Sequence, residues 1–155
     1  MLDISLLNNG NFSVSAGPPR LALVHHGFRT TQMGAADKRQ DKFAARYASL
    51  GLLNLARSAQ VDFERGQIPF KPDIKYFDED NYEDDAALAA AISAWLKPAA
   101  ARFVLVSLYS LAFERTRAMI GLMDASELCI MVGGAHPTVA PEIDFAHLVV
   151  RGEGG

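Results

Sequence analysis

The chain has 155 residues, the length of one ordinary domain, and its 50% hydrophobic and 21% charged residues are typical of a globular protein. Its formal net charge of −3 argues against a general nucleic-acid binder, which would carry a basic surface. The single cysteine, Cys129, excludes a disulfide framework and a self-contained iron–sulfur cluster. No apolar run reaches the roughly 20 residues of a membrane helix, and no basic N-terminal region indicates a signal peptide. We therefore expect a single cytoplasmic domain.

Short apolar runs alternate with helical patterns along the chain. Residues 1–19 are interpreted as a leader or edge segment, and residues 20–155 as an α/β domain. Between its first strand and first helix lies a long polar stretch, residues 27–46. The strands are predicted at 21–24, 74–78, 103–106, 128–132 and 147–150. Such an alternation predicts a five-stranded parallel sheet with right-handed crossovers.

Helical spacing of apolar residues predicts the connecting helices. The first is expected near residues 50–63, with Leu52 and Leu55 in its buried stripe. Two further stripes lie at Leu88, Ile92, Trp95 and Leu96, and at Ala112, Thr116, Met119, Ile120 and Met123. A short helix is expected after Pro141.

Six carboxylates lie between Asp78 and Asp85, directly after the second predicted strand. We interpret this run as a solvated loop and the start of a helix, where negative charge is favoured. Asn81, with Asp84 three residues later, resembles an N-cap arrangement.

Ligands of an open parallel sheet bind beyond the carboxyl ends of its strands, so the residues that follow each strand carry the functional information. Neither the dinucleotide motif G-x-G-x-x-G nor the P-loop motif G-x-x-x-x-G-K-[ST] occurs there. Ser107, after the third strand, offers a hydroxyl, and Gly133-Gly134, after the fourth, offers bare backbone. Each feature alone suits a turn, but at neighbouring strand ends they predict a shared groove.

The sequence Val132-Gly133-Gly134-Ala135-His136-Pro137-Thr138, followed by Val149-Val150-Arg151-Gly152-Glu153-Gly154, resembles the cobalamin-binding domain of B12-dependent radical SAM enzymes. Ser107 resembles the strand-end serine of that family, and residues 50–53 resemble the L-G-L opening of its first helix. The resemblance covers about residues 20–155 and is most specific over 132–154.

The resemblance implies a flavodoxin-like, or Rossmann-like, three-layer sandwich that carries cobalamin on the carboxyl ends of its strands. It implies a cofactor site formed by Ser107, Leu108, Tyr109, Gly133, Gly134, Ala135, His136, Gly152 and Glu153. The partner would be a radical SAM barrel, with its S-adenosylmethionine and 4Fe-4S cluster, in which cobalamin typically relays a methyl group. No nucleic acid or membrane is expected as a partner, and no catalytic residue is assigned to this chain.

Two motifs known from cobalamin domains and from radical SAM enzymes are absent from this sequence. The D-x-H-x-x-G motif, which supplies a histidine ligand to cobalt in other cobalamin domains, is absent, as it is from many radical SAM members. His25 and His26 lie at the corresponding strand end, but packing or loop hydrogen bonds suit them better, and no metal ligand is assigned. The C-x-x-x-C-x-x-C cluster motif is also absent. We therefore expect the chain to be one part of a longer enzyme.

Three residues in the motif keep two interpretations each, and a fourth residue, Cys129, has one. His136, which precedes a proline and is thereby biased towards extended backbone, suits loop structure or ligand contact. Glu153 suits a loop cap or a contact with another domain, and Arg151 suits a ligand phosphate or a surface ion pair. Cys129, within an apolar strand, is interpreted as inert core.

Three functions remain open at this point. The first is a cobalamin-binding module that is not catalytic alone. The second is a degenerate module of the same fold that has lost the cofactor and serves docking or regulation. The third, disfavoured because no nucleophile–base–orienter spacing is recognisable, is a small enzyme that uses His25, His26 or His136 as a base.

Overall fold

The computed structural model describes residues 18–27, 50–71, 73–139 and 142–151. Most of the expected leader and of the polar stretch 27–46 therefore lies outside the described residues, as do Gly152 and Glu153. The strands are β1 (Arg20–His25), β2 (Asp73–Asp78), β3 (Arg102–Ser107), β4 (Cys129–Gly133) and β5 (Leu148–Val149). The helices are α1 (Leu50–Glu64), α2 (Asp85–Leu96), α3 (Phe113–Gly121) and α4 (Ala135–Val139), with 3-10 turns at Glu79–Asn81, Ser110–Ala112 and Ala125–Glu127.

The five strands form one parallel sheet in the order β2-β1-β3-β4-β5, which confirms the predicted α/β class and the flavodoxin-like architecture. At the end of the sheet where the strands finish, here called the carboxyl edge, His25 pairs in register with Asp78 on one side and Ser107 on the other. Ser107 in turn pairs with Gly133. Side chains at paired positions of parallel strands point to the same face, so these residues form a row across four strands.

Helices cover both faces of the sheet. The crossover from β1 to β2 runs in the opposite direction to the other three, so right-handed connections place α1 on one face and α2, α3 and α4 on the other. The main core lies on the second face, where both predicted helical stripes are confirmed, and its buried members include Val24, Val104, Val106, Ile130, Leu88, Ile92, Leu96, Met119 and Ile120. None of the helices in the described ranges is long and apolar enough to cross a membrane.

Helix α1 buries fewer of its apolar side chains than its sequence pattern predicted. Leu52 is 3% exposed, whereas Leu55 is 41% exposed, so the expectation that Leu55 is buried is wrong. The partly buried side of the helix continues through Ala56 and Ala59. Successive residues of a helix are rotated by 100°, so Leu55 lies about 60° away from Leu52 around the helix axis. Its side chain therefore points away from the sheet.

The short helix expected after Pro141 lies earlier in the chain, at Ala135–Val139, and residues 142–147 form no helix. Pro137 is compatible with the first turn of α4, where its missing N–H leaves no intrahelical bond unmade. His136 is therefore helical and not extended, and its backbone N–H donates to Leu108 O at 3.2 Å. This hydrogen bond outweighs the extended preference that Pro137 imposes on the residue before it.

Asp84, rather than Asn81, caps helix α2. Its backbone is extended and its carboxylate accepts a hydrogen bond of 2.7 Å from Ala87 N–H, which satisfies one of the free donors of the first turn. Asn81 belongs to the preceding 3-10 turn, which Asp78 caps through Asp80 N–H. The cap fixes where α2 starts, and thereby where Asp85 lies.

The cap predicts a measurable contribution to stability. Asp84→Ala is expected to lower the free energy of unfolding by about 1 kcal/mol, because the Ala87 N–H loses its acceptor. Asp84→Asn keeps a side-chain oxygen and is expected to retain most of that stability. Urea unfolding of both variants measures the difference, and an equal loss in both would contradict the assignment.

Candidate functional site at the carboxyl edge

A buried ionic network holds the carboxyl edge together around Arg115 of α3. Its guanidinium donates to both carboxylate oxygens of Asp85 at 2.8 Å, to Glu79 and to the carbonyl oxygen of Gly27 at 2.8 Å. Glu79, only 3% exposed, uses its other oxygen to accept the Gly27 N–H at 2.7 Å. Both backbone polar groups of Gly27 are thus fixed by the side chains of one ion pair.

His26 extends this network into the core. Its side chain is fully buried, with Nδ1 2.7 Å from the Thr116 hydroxyl and Nε2 3.1 Å from Asp85 Oδ1. Since the Asp85 carboxylate can only accept, Nε2 carries the ring proton and donates to it, and Nδ1 accepts from Thr116. Both ring nitrogens are satisfied in the neutral form of the imidazole.

The electrostatics of the network follow from burial and from Arg115. Burial lowers the pKa of His26, Arg115 adds to this effect, and the bond to Asp85 opposes it without reversing it. For Asp85, burial alone would raise the pKa, but the hydrogen bonds from Arg115 and His26 outweigh it and lower the pKa to about 2. At neutral pH the network therefore contains an ionised Asp85, a guanidinium and a neutral His26.

His26, Glu79 and Asp85 also place three potential metal-ligand atoms within 4.8 Å of one another. The guanidinium of Arg115 already bonds both carboxylates. A second cation there would face the charge of Arg115 at short range and would have to displace its hydrogen bonds. We interpret the group as an ion-pair network and not as a metal site.

The residues predicted to form the ligand groove come together at the ends of β3 and β4. Gly134 has a φ of +105°, and a Cβ atom on it would lie 3.1 Å from Leu108 O and 3.2 Å from both Leu108 N and Ser107 Oγ. Only glycine permits this conformation and this close approach without strain. The hydroxyl of Ser107 has no hydrogen-bond partner within the described part of the chain.

The other predicted site residues occupy different environments. Leu108 is fully buried in the core, so only its backbone lies at the edge. Tyr109 is partly exposed and its ring meets that of His25 at a centroid distance of 6.4 Å. Ala135 is exposed, and Arg151 donates to Pro137 O at 3.0 Å. Gly152 and Glu153 lie in the part of the chain outside the described residues.

His136 has specific contacts at this edge. Its Nδ1 lies 3.0 Å from the hydroxyl of Ser110, and its ring packs on Phe113 at a centroid distance of 4.8 Å. The contacts join the loop after β3 to the helix after β4. Ser110 was not among the predicted site residues.

The side chain of His25, the neighbour of Ser107 in the row across the sheet, forms no hydrogen bond with the residues that the structure describes. Its Nδ1 is buried without a partner among them and lies 3.6 Å from Asp78 Oδ2, beyond hydrogen-bond distance. Asp78 itself is held by the 3-10 turn that it caps. Among the described residues, His25 therefore contributes to the edge through packing against Tyr109.

The sequence pattern missed the buried network. The acidic run was interpreted as solvated, yet Glu79 is buried, and Asp85 contacts both Arg115 and His26. The fully buried hydroxyl of Thr116, on the predicted core face of α3, is the only polar group in that stripe. It indicated a buried polar contact, but nothing in the sequence identified the partner.

Cys129 is partly buried at the start of β4. Burial raises the pKa of its thiol, which keeps the thiolate fraction low. Its environment fits the interpretation as an unreactive structural residue.

Comparison of the chain with family models, with curated proteins and with solved structures gives no match. The assignment of function therefore depends on the fold and on the geometry of the carboxyl edge.

Removal of Arg115 tests the network. Arg115→Met is expected to lower the free energy of unfolding by about 3 kcal/mol, because it leaves the buried Glu79 carboxylate without its charge partner. Arg117→Met is the matched control on the same helix, since Arg117 pairs with Asp144 in an exposed position and is expected to cost less than about 1 kcal/mol. Urea unfolding measures both, and similar losses would contradict a buried role for Arg115.

The pKa shifts predict how stability depends on pH. Because the pKa of His26 is lower in the folded chain than its ordinary 6.5, the unfolded chain binds the proton first, so stability falls as pH drops below about 6.5. The contribution of Asp85 is lost at lower pH, between 3.8 and about 2. Chemical unfolding between pH 7.5 and pH 5 is expected to show the first loss. His26→Gln is expected to flatten the slope, and an unchanged slope would contradict the assignment to His26.

Proposed function

We propose that the chain is a cobalamin-binding module that serves a radical SAM enzyme and is not catalytic in methyl transfer by itself. The observation that carries the proposal is the meeting of Ser107 and Gly134 at the ends of the adjacent strands β3 and β4. In the family that residues 132–154 resemble, bound cobalamin relays a methyl group to the substrate. The role proposed for this chain is to hold and orient that cofactor.

The residues at these strand ends are compatible with a large ligand. Gly133, Gly134 and Ala135 place no side chain larger than a methyl group at the edge, and the last two are exposed. A bulky planar group or a nucleotide tail can therefore approach the backbone closely. Ser107 adds a hydroxyl that has no partner within the described residues and can bond a polar atom of the ligand.

The fold adds general support. In a parallel sheet of order β2-β1-β3-β4-β5, the strand connections reverse direction between β1 and β3, and ligands bind beyond the carboxyl ends at that point. Ser107 is the last residue of β3 and lies at this switch point, directly beside His25 of β1. A ligand that contacts Ser107 and Gly134 would therefore lie where open α/β sheets commonly bind cofactors.

A second candidate is a module of the same fold that binds no cofactor and serves docking or regulation. One observation favours it: the loops after β3 and β4 are already joined by backbone hydrogen bonds. Leu108 N–H donates to Gly133 O at 2.7 Å, and His136 N–H donates to Leu108 O at 3.2 Å. These bonds restrict entry of a ligand between the two strand ends.

Titration of the chain with hydroxocobalamin separates the two candidates. The cobalamin proposal predicts stoichiometric binding, visible as a change in the corrin absorption bands and as co-elution in gel filtration. Ser107→Tyr is expected to weaken binding by about tenfold or more, equivalent to roughly 1.4 kcal/mol, because the ring fills the space beside Gly134. Gly134→Leu should weaken it further, although it also strains the backbone.

Ser126→Ala is the control for these variants, because Ser126 is exposed and its hydrogen bonds to Asp124 lie within the loop after α3, away from the ends of β3 and β4. It is expected to bind like the original chain. Thermal unfolding of each variant distinguishes loss of the site from loss of the fold. Absence of any absorption change and of co-elution up to high micromolar cobalamin would contradict the proposal and favour the cofactor-free module.

A further inference from the structure

We propose that Ser110 and His136 form a nucleophile–base pair that accepts an acyl group from small activated esters. The pair lies at the carboxyl edge, where the Ser110 hydroxyl is 3.0 Å from His136 Nδ1. A hydroxyl within hydrogen-bond reach of an imidazole is the arrangement that activates a serine nucleophile. The proposed reaction does not require cobalamin, since it uses only the side chains of this chain.

The fold holds both partners in place. Ser110 is exposed and begins the 3-10 turn that leads into α3. His136 is fixed from two sides, by the bond from its N–H to Leu108 O and by packing of its ring on Phe113 at 4.8 Å. Gly134, with its positive φ, allows the β4 loop to approach β3 closely enough for these contacts.

The surroundings of the pair suit an acyl substrate. Leu111, directly after Ser110, is 83% exposed, and Val139, one helical turn beyond His136, is 78% exposed. These apolar side chains offer a surface for the acyl group.

The reaction follows from these groups. Ser110 Oγ attacks the acyl carbon while its proton passes to His136 Nδ1, and the bond from that carbon to the leaving oxygen breaks. The leaving group departs with the bonding electron pair, and His136 passes its proton to the leaving oxygen or to solvent, which returns the imidazole to its neutral form. Water then attacks the acyl-serine, His136 takes a proton from that water, and Ser110 Oγ recovers a proton as the carboxylic acid is released.

No carboxylate contacts Nε2 of His136 within the described part of the chain. The base therefore lacks the third group that fixes the tautomer in a full triad. We expect acylation to be slow and confined to substrates with a good leaving group. The activity belongs to a pair and not to a complete hydrolase centre.

Incubation of the chain with p-nitrophenyl acetate tests the proposal. Release of p-nitrophenolate is followed by absorbance, and the acetylated residue is located by peptide mass spectrometry. We expect acetylation of Ser110, its loss in Ser110→Ala, and a fall of about 100-fold or more in the rate of Ser110 acetylation in His136→Gln. Ser126→Ala, which removes another exposed serine, is expected to react like the original chain.

Circular dichroism of each variant verifies that the fold is retained, as expected for substitutions at the surface. Absence of acetyl-Ser110 in the folded original chain, together with p-nitrophenolate release no faster than in Ser110→Ala, would overturn the proposal. An unchanged rate of Ser110 acetylation in folded His136→Gln would overturn it as well, because His136 would then not be the base.

Discussion

The contact on which the carboxyl edge depends is the bonding of the Arg115 guanidinium to two carboxylates and one carbonyl. Asp85 begins α2, Glu79 follows β2, and Gly27 follows β1, so this one side chain on α3 joins four elements. Taking these charges out of water is costly, and the network is stable only because nearly every donor has an acceptor in place. His26 and Thr116 complete it by satisfying each other inside the core.

The network divides the carboxyl edge into two parts. On the side of α2 and α3, the polar groups form hydrogen bonds and ion pairs with one another. We therefore interpret their role as structural. Towards β3 and β4, Ser107 has a hydroxyl without a partner among the described residues, and Ser110 shares an exposed hydrogen bond with His136. The proposed cobalamin site and the proposed Ser110–His136 pair both lie on this second part. Ligands and substrates need polar groups that are accessible and whose hydrogen bonds are not all made within the protein.

Much of the fold could be predicted from the sequence, because the spacing of apolar residues along a strand or helix indicates which of its positions are buried. The uninterrupted run at 103–106 and the stripe through Met119 and Ile120 needed no tertiary information to be recognised. The position of α4 depended on a hydrogen bond between distant residues, from His136 N–H to Leu108 O, so local patterns misplaced it. The cap of α2 is local, but the spacing of Asn81 and Asp84 did not decide which of the two forms it. Gly134 lies close to Ser107, as expected for residues at the ends of adjacent parallel strands, whereas the ligand groove expected there stays a prediction.

The buried network was beyond such prediction. Glu79 and Asp85 lie in a run of six carboxylates whose composition indicates solvent exposure, and their partner Arg115 is 36 and 30 residues further along the chain, respectively. Only the sheet order, which brings the ends of β1, β2 and β3 side by side, determines that these charges meet. The same applies to Ser110 and His136, 26 residues apart and joined by neighbouring strand ends.

Hydrogen exchange at the Gly27 amide tests most directly whether the network holds the carboxyl edge. This N–H is bonded to Glu79 Oε1, which Arg115 holds in place through the other oxygen of the same carboxylate. We expect slow exchange in the native chain, with protection similar to that of the β1 amides, and loss of that protection in Arg115→Met while the β4 amides stay protected. Exchange of the Gly27 amide at the rate of an unstructured residue in the native chain would contradict it.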